Sequence, residues 1–350
     1  MSGNPRMEFY DLEVAKVIRE TADTSSYAFR VPADLEELFR YQAGQFFTFE
    51  VPWGGMRLVR SYSLASSPDE RGLPVVAVKR VDGGRVSNWF NDEVGEGMVL
   101  RVQPPAGRFV LRPGSTAPLL LLAGGSGITP MMSLMKTALL TTARPVRLFY
   151  ANRDENSVIF LRELVRLQAR YGPRLEVIHH LDCESGFVTE PLLRDRLPVD
   201  AQAECYICGP GPFMDVVEQA LADRGVPRAQ IHVERFISPV DPDRKADAPP
   251  VDVPETGAAQ VIMRIGGAEH HFAVEPNEPI LAAALRQGVE AEYQCEEGYC
   301  GCCMARLKAG QVVMPSHEAL SDAEVDEGWI LTCQARCSTP KVEVDYDAGF

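Results

Sequence analysis

At 350 residues the chain is longer than one hydrophobic core usually serves, and its 45% hydrophobic and 24% charged residues exclude a disordered, collagen-like or low-complexity protein. A net charge of −14 argues against nucleic acid as a partner, and the longest apolar run, APLLLLA at 117–123, is far short of the ~20 residues that span a membrane. The N-terminal MSGNPRMEFYDLEV lacks a basic segment followed by an apolar one, so a cytoplasmic protein is expected.

Residues 8–112 read as an antiparallel β-barrel. LEVAKVI, QFFTFEV and PVVAVKRV are short alternating stretches separated by Pro, Gly and Asp turns. From 113 to 237 the pattern becomes α/β. PLLLLAGG is a buried strand and TPMMSLMKTALLT a helix; VRLFYAN, LEVIHHL and ECYICGP are further strands, with helices at SVIFLRELVRLQARYG and PFMDVVEQALADRG. Such alternation implies a doubly wound parallel sheet. Residues 238–257, SPVDPDRKADAPPVDVPETG, hold five prolines, seven charges and no aromatic residue, and read as a semi-rigid linker. The segment 258–350 reads as a small α+β domain: a hairpin (QVIMRIGG, HHFAV), a short helix (PILAAALRQG), a cysteine loop, and short strands ending in KVEVDYD. Charge changes at the same boundary. From Asp241 onward there are 8 basic and 20 acidic residues, or −12, against −2 for the rest. Acid so concentrated can steer a basic partner or simply aid solubility.

Six of the nine cysteines lie in the final 56 residues. A disulfide framework belongs to small secreted domains, so a metal centre is the better reading. Cys295, Cys300 and Cys303 follow the Cys-x4-Cys-x2-Cys spacing, with Cys333 further on. Four thiolates so spaced suit a [2Fe–2S] cluster, whereas zinc usually takes two separated Cys-x2–4-Cys knuckles. Gly298 and Gly301 allow the loop to curl so that amides face the sulfurs.

On these cysteines the segment 258–350 resembles a plant-type ferredoxin. That implies a β-grasp fold with Cys295, Cys300, Cys303 and Cys333 as ligands. Cys302 departs from the family, which usually has a small residue such as Ala there; as a neighbour of two ligands it reads as an inert small residue or as a competitor for iron, and Cys337 reads as a bystander thiol. Arg60-Ser61-Tyr62-Ser63, after QFFTFEV, resembles the flavin signature of the ferredoxin–NADP reductase superfamily. Arginine offers a forked donor to pyrophosphate, tyrosine a flat face for the ring, and serine a hydroxyl near flavin N5. GGRVSNWF at 83–90 resembles the second flavin segment, where Gly84, Val86 and Ser87 sit at a helix start able to hold a phosphate.

GGSGITP at 124–130 and CGPGPFM at 208–214 together resemble the nicotinamide-binding half of the same superfamily. Gly125, Gly127 and Thr129, with Gly209 and Pro210, are the nucleotide-binding candidates, and Cys208 would lie beside the nicotinamide. In related reductases a carboxylate and an aromatic residue corresponding to Glu234 and Phe236 approach the flavin; a surface charge and a core aromatic are the plainer readings. Ser63, Cys208 and Glu234 are thus the catalytic candidates. After VRLFY come Asn152, Arg153 and Asp154. Arg153 could hold a 2′-phosphate and Asp154 would repel one, so NADH is expected, with NADPH as the alternative.

The resemblance covers nearly the whole chain, in the order found in reductase components of bacterial multicomponent oxygenases. It implies FAD rather than FMN, and a terminal oxygenase as partner; the −12 imbalance after residue 240 implies that this partner presents a basic docking patch. Nicotinamide gives two electrons as hydride, a [2Fe–2S] cluster takes one, and flavin alone handles both, which fixes the order NAD(P)H, flavin, cluster, partner. The stretch VMPSHEALSDAEVDEGWILTCQAR resembles the tail of 3-ketosteroid 9α-hydroxylase reductases, pointing to a Rieske-type acceptor. Reductases of phenylacetyl-CoA epoxidase and of hybrid-cluster protein share the layout. A ferredoxin-like carrier without enzyme activity would need only the cluster cysteines.

Overall fold

The computed structural model describes residues 8–200, 202–236 and 258–348, apart from Gln294, Glu297, Tyr299, Glu318 and Ser321. The linker expected at 238–257 lies outside the described residues. Segments Phe9–Val51 and Ser61–Phe236 form one compact unit, and the C-terminal segment belongs to another, to which Pro52–Arg60, the end of one barrel strand and most of the next, is also assigned.

The first unit begins with strands β1 (Tyr10–Thr21), β2 (Thr24–Arg30), β3 (Phe46–Trp53), β4 (Met56–Ser63) and β5 (Val75–Lys79), then helix α1 (Arg85–Glu93) and β6 (Val99–Ala106). These strands make one sheet in the order β4-β3-β6-β1-β2-β5. The two edges meet where Leu64, just after β4, bridges Val76 of β5, so the sheet curls into a barrel. Alternation along the strands turns Phe29, Phe47 and Phe49 into the interior, joined by Phe90 of α1; all four are essentially inaccessible to solvent. Each stabilises the barrel by about 2–3 kcal/mol. The helix start expected at GGRVSNWF is thus the beginning of α1, and the helix is part of the barrel's core.

Next come β7 (Leu119–Gly124), α2 (Ile128–Thr141), β8 (Val146–Asn152), α3 (Leu161–Tyr171), β9 (Leu175–Leu181), α4 (Asp182–Ser185), α5 (Glu190–Arg196), β10 (Glu204–Cys208), α6 (Gly211–Ala222) and β11 (Ile231–Glu234). The five strands form a sheet ordered β11-β10-β7-β8-β9, with every adjacent pair parallel. Its centre, β7, is buried on both faces, which is why it reads as an unbroken leucine run. Leu119 and Leu121 face one cluster, Leu120 and Leu122 the other. The first of these clusters also takes in Ala43, Ala65 and Phe109 of the barrel. Polar contacts cross the same junction: Ser133 Oγ on α2 donates to the Ser66 carbonyl at 2.6 Å, and the Ser67 and Thr137 hydroxyls lie 2.6 Å apart.

The second unit contains β12 (Ala259–Ile265), β13 (Ala268–Val274), α7 (Ile280–Arg286), β14 (Met304–Ala309), β15 (Val312–Val313), α8 (Asp322–Asp326), β16 (Trp329–Leu331), β17 (Arg336–Cys337) and β18 (Lys341–Asp345). Its main sheet runs β13-β12-β18-β14-β16. The hairpin β12–β13 is antiparallel as expected, and β18 pairs with β12 in parallel. Ile280, Leu281, Ala283 and Ala284 of α7 share a core with Val261, Met263 and Val344 of the sheet and with Cys303 and Cys333. Among the described residues no helix is long and apolar enough to cross a membrane.

Candidate functional site

The two flavin segments foreseen from sequence meet in space. Tyr62, near the end of β4, packs edge-on against Phe90 of α1 with ring centroids 5.4 Å apart, and Phe49 lies against both rings. Arg60 is half-buried, with Nη1 donating to the Val59 carbonyl at 2.8 Å, while Ser63 is buried and the Ser61 hydroxyl contacts that of Thr48 at 2.9 Å. Gly84 precedes α1, whose first turn carries neither a side-chain cap nor an acidic residue. A helix start of this kind suits a phosphate. Ser87 Oγ accepts from the Val81 amide at 3.1 Å and keeps its own proton for a phosphate oxygen. Val86 is buried beneath. A Cβ on Gly84 would sit 2.6 Å from Ser87 Oγ, so glycine there keeps the serine in place. The donors present fit a flavin phosphate.

The nucleotide segments also converge. β7 and β10 are adjacent and parallel, with Cys208 opposite Ala123, so both glycine turns leave the same edge of the sheet. They touch through backbone. A Cβ on Gly127 would lie 2.1 Å from the Cys208 carbonyl oxygen, and one on Gly209 would lie 3.0 Å from the Gly124 nitrogen. Pro210 is the nearest atom set to Gly124, at 2.8 Å from a Cβ built there. Gly125 adopts φ +52°, and its carbonyl accepts from the buried Tyr150 hydroxyl at 3.0 Å. The Thr129 hydroxyl donates to the Ser126 carbonyl at 2.7 Å, closing the turn onto α2. The first turn of α2 has no acidic residue and no side-chain cap, which fits a pyrophosphate.

Cys208 is fully buried and pairs in register with Glu234 on β11. Burial pushes the Cys208 thiol well up, and Glu234 adds to the effect, so the sulfur is a neutral thiol suited to packing against a ring. Glu234 keeps some surface open, yet desolvation raises its carboxyl to about 8. Phe236 is 43% exposed, which sets aside the core-aromatic reading. Arg235 turns to Glu218 at 2.7 Å and Asp215 at 3.6 Å.

In the second unit three left-handed residues, Glu296, Gly298 and Gly301, curl the cysteine loop. The Cys303 thiol meets that of Cys333, and the Cys300 thiol meets those of Cys295 and Cys302. Thr332 locks Cys333 to the loop: its amide and hydroxyl donate to the Cys303 carbonyl at 3.1 and 3.0 Å. The soft thiols are of the type a [2Fe–2S] cluster takes, and they meet in pairs: among the described residues no three or more cysteine, histidine or acidic side chains are gathered closely enough to form a metal site. Cys302 is buried and its thiol points to the Cys300 carbonyl at 3.9 Å.

Comparison with known proteins matches three family models in succession. An oxidoreductase FAD-binding domain covers residues 11–111, an oxidoreductase NAD-binding domain 121–219, and a 2Fe-2S iron-sulfur cluster binding domain 263–338. The chain is 40% identical over 339 residues to the ferredoxin reductase component of 3-ketosteroid-9-alpha-monooxygenase from Rhodococcus rhodochrous, covering 96% of each. The chain belongs to this family of ferredoxin reductase components.

This reductase is also 34% identical to a component of the 1,2-phenylacetyl-CoA epoxidase of Escherichia coli strain K12, over 97% of this chain and 98% of that one. Its fold matches phthalate dioxygenase reductase, a modular structure for electron transfer from pyridine nucleotides to [2Fe–2S], with a TM-score of 0.60, 28% identity, and coverage of 96% and 98%. The reductase is therefore an electron-transfer oxidoreductase carrying FAD-, NAD- and [2Fe–2S]-binding domains, a component of an oxygenase system.

The position of Glu234 has a consequence for stability. Its folded value near 8 lies above the ordinary 4.5, so folding takes up a proton at neutral pH. The carboxyl favours the folded reductase most below the ordinary value, and that contribution is lost as pH rises through about 8. Between about pH 5 and pH 8.5 the melting temperature is expected to fall more steeply in the wild type than in Glu234→Gln. Equal slopes in a thermal-melt series would show that the carboxyl is not desolvated.

Sequence reasoning missed Tyr150, whose hydroxyl supports Gly125, and a charged group formed by Asp23 and Lys79 of the barrel with Arg153 of the nucleotide domain. The strand VRLFYAN displays Tyr150 only as another apolar-strand residue. Asp23 sits in TADTSS, which reads as a turn and nothing more.

Proposed function

We propose that the reductase takes hydride from NADH at the edge shared by the two glycine turns and delivers single electrons to the terminal oxygenase of a ketosteroid 9α-hydroxylase. The observation that carries this reading is the 40% identity, sustained over 96% of both chains, with the 3-ketosteroid monooxygenase component. The proposed domains are a FAD barrel at 8–112, a nucleotide domain at 113–237 and a ferredoxin domain at 258–350. Bound FAD supplies the conversion from paired to single electrons, and the cluster supplies their onward carriage.

The chain's own residues have distinct tasks in this reading. Tyr62 offers its ring to the flavin, Ser63 its hydroxyl near N5, and Arg60, Ser61, Gly84, Val86 and Ser87 hold the ring system and phosphates. Gly125, Gly127, Thr129, Gly209 and Pro210 shape the dinucleotide seat. Cys208 and Glu234 line the place where the nicotinamide meets the flavin, and Phe236 covers the flavin face. Cys295, Cys300, Cys303 and Cys333 hold the cluster. The reductase works in the cytoplasm, and its oxygenase partner presents a basic patch to the acidic C-terminal segment.

The test is NADH-driven oxygen uptake in the presence of a 3-ketosteroid and the purified ketosteroid oxygenase, with the phenylacetyl-CoA epoxidase oxygenase as the competing acceptor. Faster turnover with the ketosteroid oxygenase is expected. Salt at about 0.5 M, where the screening length falls to ~4 Å, should slow that turnover several-fold while ferricyanide reduction by NADH changes little. Glu296→Gln should reproduce part of the salt effect; its companion Glu297 lies outside the described residues. Preference for the epoxidase would reassign the partner. Indifference to salt would sink the basic-patch proposal.

A further inference from the structure

The flavin barrel reaches the nucleotide edge of the parallel sheet through Asp23 and Lys79. Asp23 lies in the turn between β1 and β2. Its Oδ1 accepts from the hydroxyls of Thr21 at 2.7 Å and Thr24 at 3.1 Å. Its Oδ2 faces two cations, Lys79 Nζ at 3.8 Å and Arg153 Nη2 at 3.6 Å. Lys79 stands over the glycine turn, since a Cβ on Gly125 would lie 3.8 Å from its Nζ. Burial raises the Asp23 carboxyl, but the Thr21 hydroxyl, Lys79, Thr24 and Arg153 outweigh it and hold the group below the ordinary carboxylate range, so it is ionised.

In doubly wound sheets the adenosine ribose is read at the C-terminal end of the strand that follows the glycine turn. An acidic side chain there takes the 2′-hydroxyl of NADH, and an arginine takes the 2′-phosphate of NADPH. β8 ends at that place in Asn152, and Arg153 and Asp154 follow. Asp154 caps the short turn after it, with Oδ1 accepting from the Ser157 amide at 3.0 Å and hydroxyl at 2.7 Å. Arg153 is the residue there with the chemistry for a phosphate, and it is already paired.

We propose that Asp23 sets the coenzyme preference of the reductase by holding Arg153, so that a 2′-phosphate meets a cation whose charge is already matched. This rests on the nucleotide seat proposed above. A phosphate monoester carries between one and two negative charges at neutral pH and would have to displace the Asp23 carboxylate or lie beside it. NADH has no such group and gains nothing from Arg153. The selector is thus a residue of the flavin domain, acting on a nucleotide it does not itself bind.

The test follows flavin reduction under anaerobic conditions in the full-length holoenzyme, with NADH and with NADPH. Asp23→Asn keeps an acceptor for Thr21 and Thr24 and removes the charge. Efficiency with NADPH is expected to rise about fivefold, through KM with kcat unchanged, as suits an exposed ion pair. Efficiency with NADH should stay within about twofold. Adding Arg153→Ala should abolish the gain. A ratio of NADPH to NADH efficiency unchanged in Asp23→Asn overturns the proposal, as does a gain that survives the loss of Arg153. If Asp23→Asn fails to retain FAD, Arg153→Ala alone decides. An arginine occupied by Asp23 leaves NADPH efficiency within about twofold, whereas a fall of about tenfold shows that Arg153 already receives the phosphate. Failure of the underlying functional reading looks different: neither coenzyme would reduce the wild-type flavin.

Discussion

Replacing Cys333 by serine is expected to abolish the [2Fe–2S] cluster while leaving flavin reduction by NADH within about twofold of wild type. Cys333 is the one proposed ligand outside the cysteine loop, and the loop is tied to it through Thr332 and the Cys303 carbonyl. A serine hydroxyl does not ionise as a thiol does and is a hard donor, so three thiolates remain where four are needed. Apart from Arg60, the flavin and nucleotide residues lie in the other compact unit, with its own core. Iron and labile sulfide should drop to background and the reduced protein should lose its cluster electron paramagnetic resonance signal. Cytochrome c reduction should fall by an order of magnitude or more. Loss of flavin reduction in the same variant would mean that the two units do not divide the chemistry as proposed.

Gly127→Ala should have the next largest effect, on the opposite half of the pathway. Its Cβ would fall 2.1 Å from the Cys208 carbonyl oxygen, 2.4 Å from the Cys208 carbonyl carbon and 2.8 Å from the Gly209 nitrogen. All three atoms are backbone, so no rotamer change relieves the clash. The two nucleotide turns must separate, at a cost of about 1–3 kcal/mol or more for overpacking. Flavin reduction by NADH is expected to fall at least about tenfold, with FAD content retained because Tyr62 and α1 are not displaced. Gly211→Ala is the matched control. It belongs to the same CGPGP motif, but a Cβ there meets nothing within 4 Å, and it should behave like wild type. Equal behaviour of the two variants would show that contact between the turns is not what glycine is needed for.

These glycines show where the sequence was informative and where it was not. A cysteine spacing is local, so the cluster ligands could be read from a short window together with Cys333. The alternation of barrel strands and the unbroken leucines of β7 are likewise local patterns, and both elements formed as expected. Glycines at 124, 127 and 209 could be read as making room for a pyrophosphate. Gly124 and Gly127 have the opposing turn as their closest neighbour, and Gly209 meets it just beyond the Phe213 ring, a contact between segments far apart in sequence that no window contains. Asp23 and Arg153 pair across two domains for the same reason and escaped notice. Glu234 was visible only through resemblance. Its raised carboxyl comes from the packing around β11, which sequence does not display.

The core that joins barrel and nucleotide sheet bears on how such reductases can be recombined. Ala43, Ala65 and Phe109 from the barrel are buried in one continuous cluster with Met131, Leu134 and Met135 of α2. Cutting the chain near residue 113 would strip apolar surface from both halves, so neither is a free-standing part for exchange. The C-terminal segment closes its own core around α7 and the cysteine loop. Its apolar interior is thus built from its own residues, and a change of acceptor made by substitutions within that segment leaves the shared core of barrel and nucleotide sheet untouched.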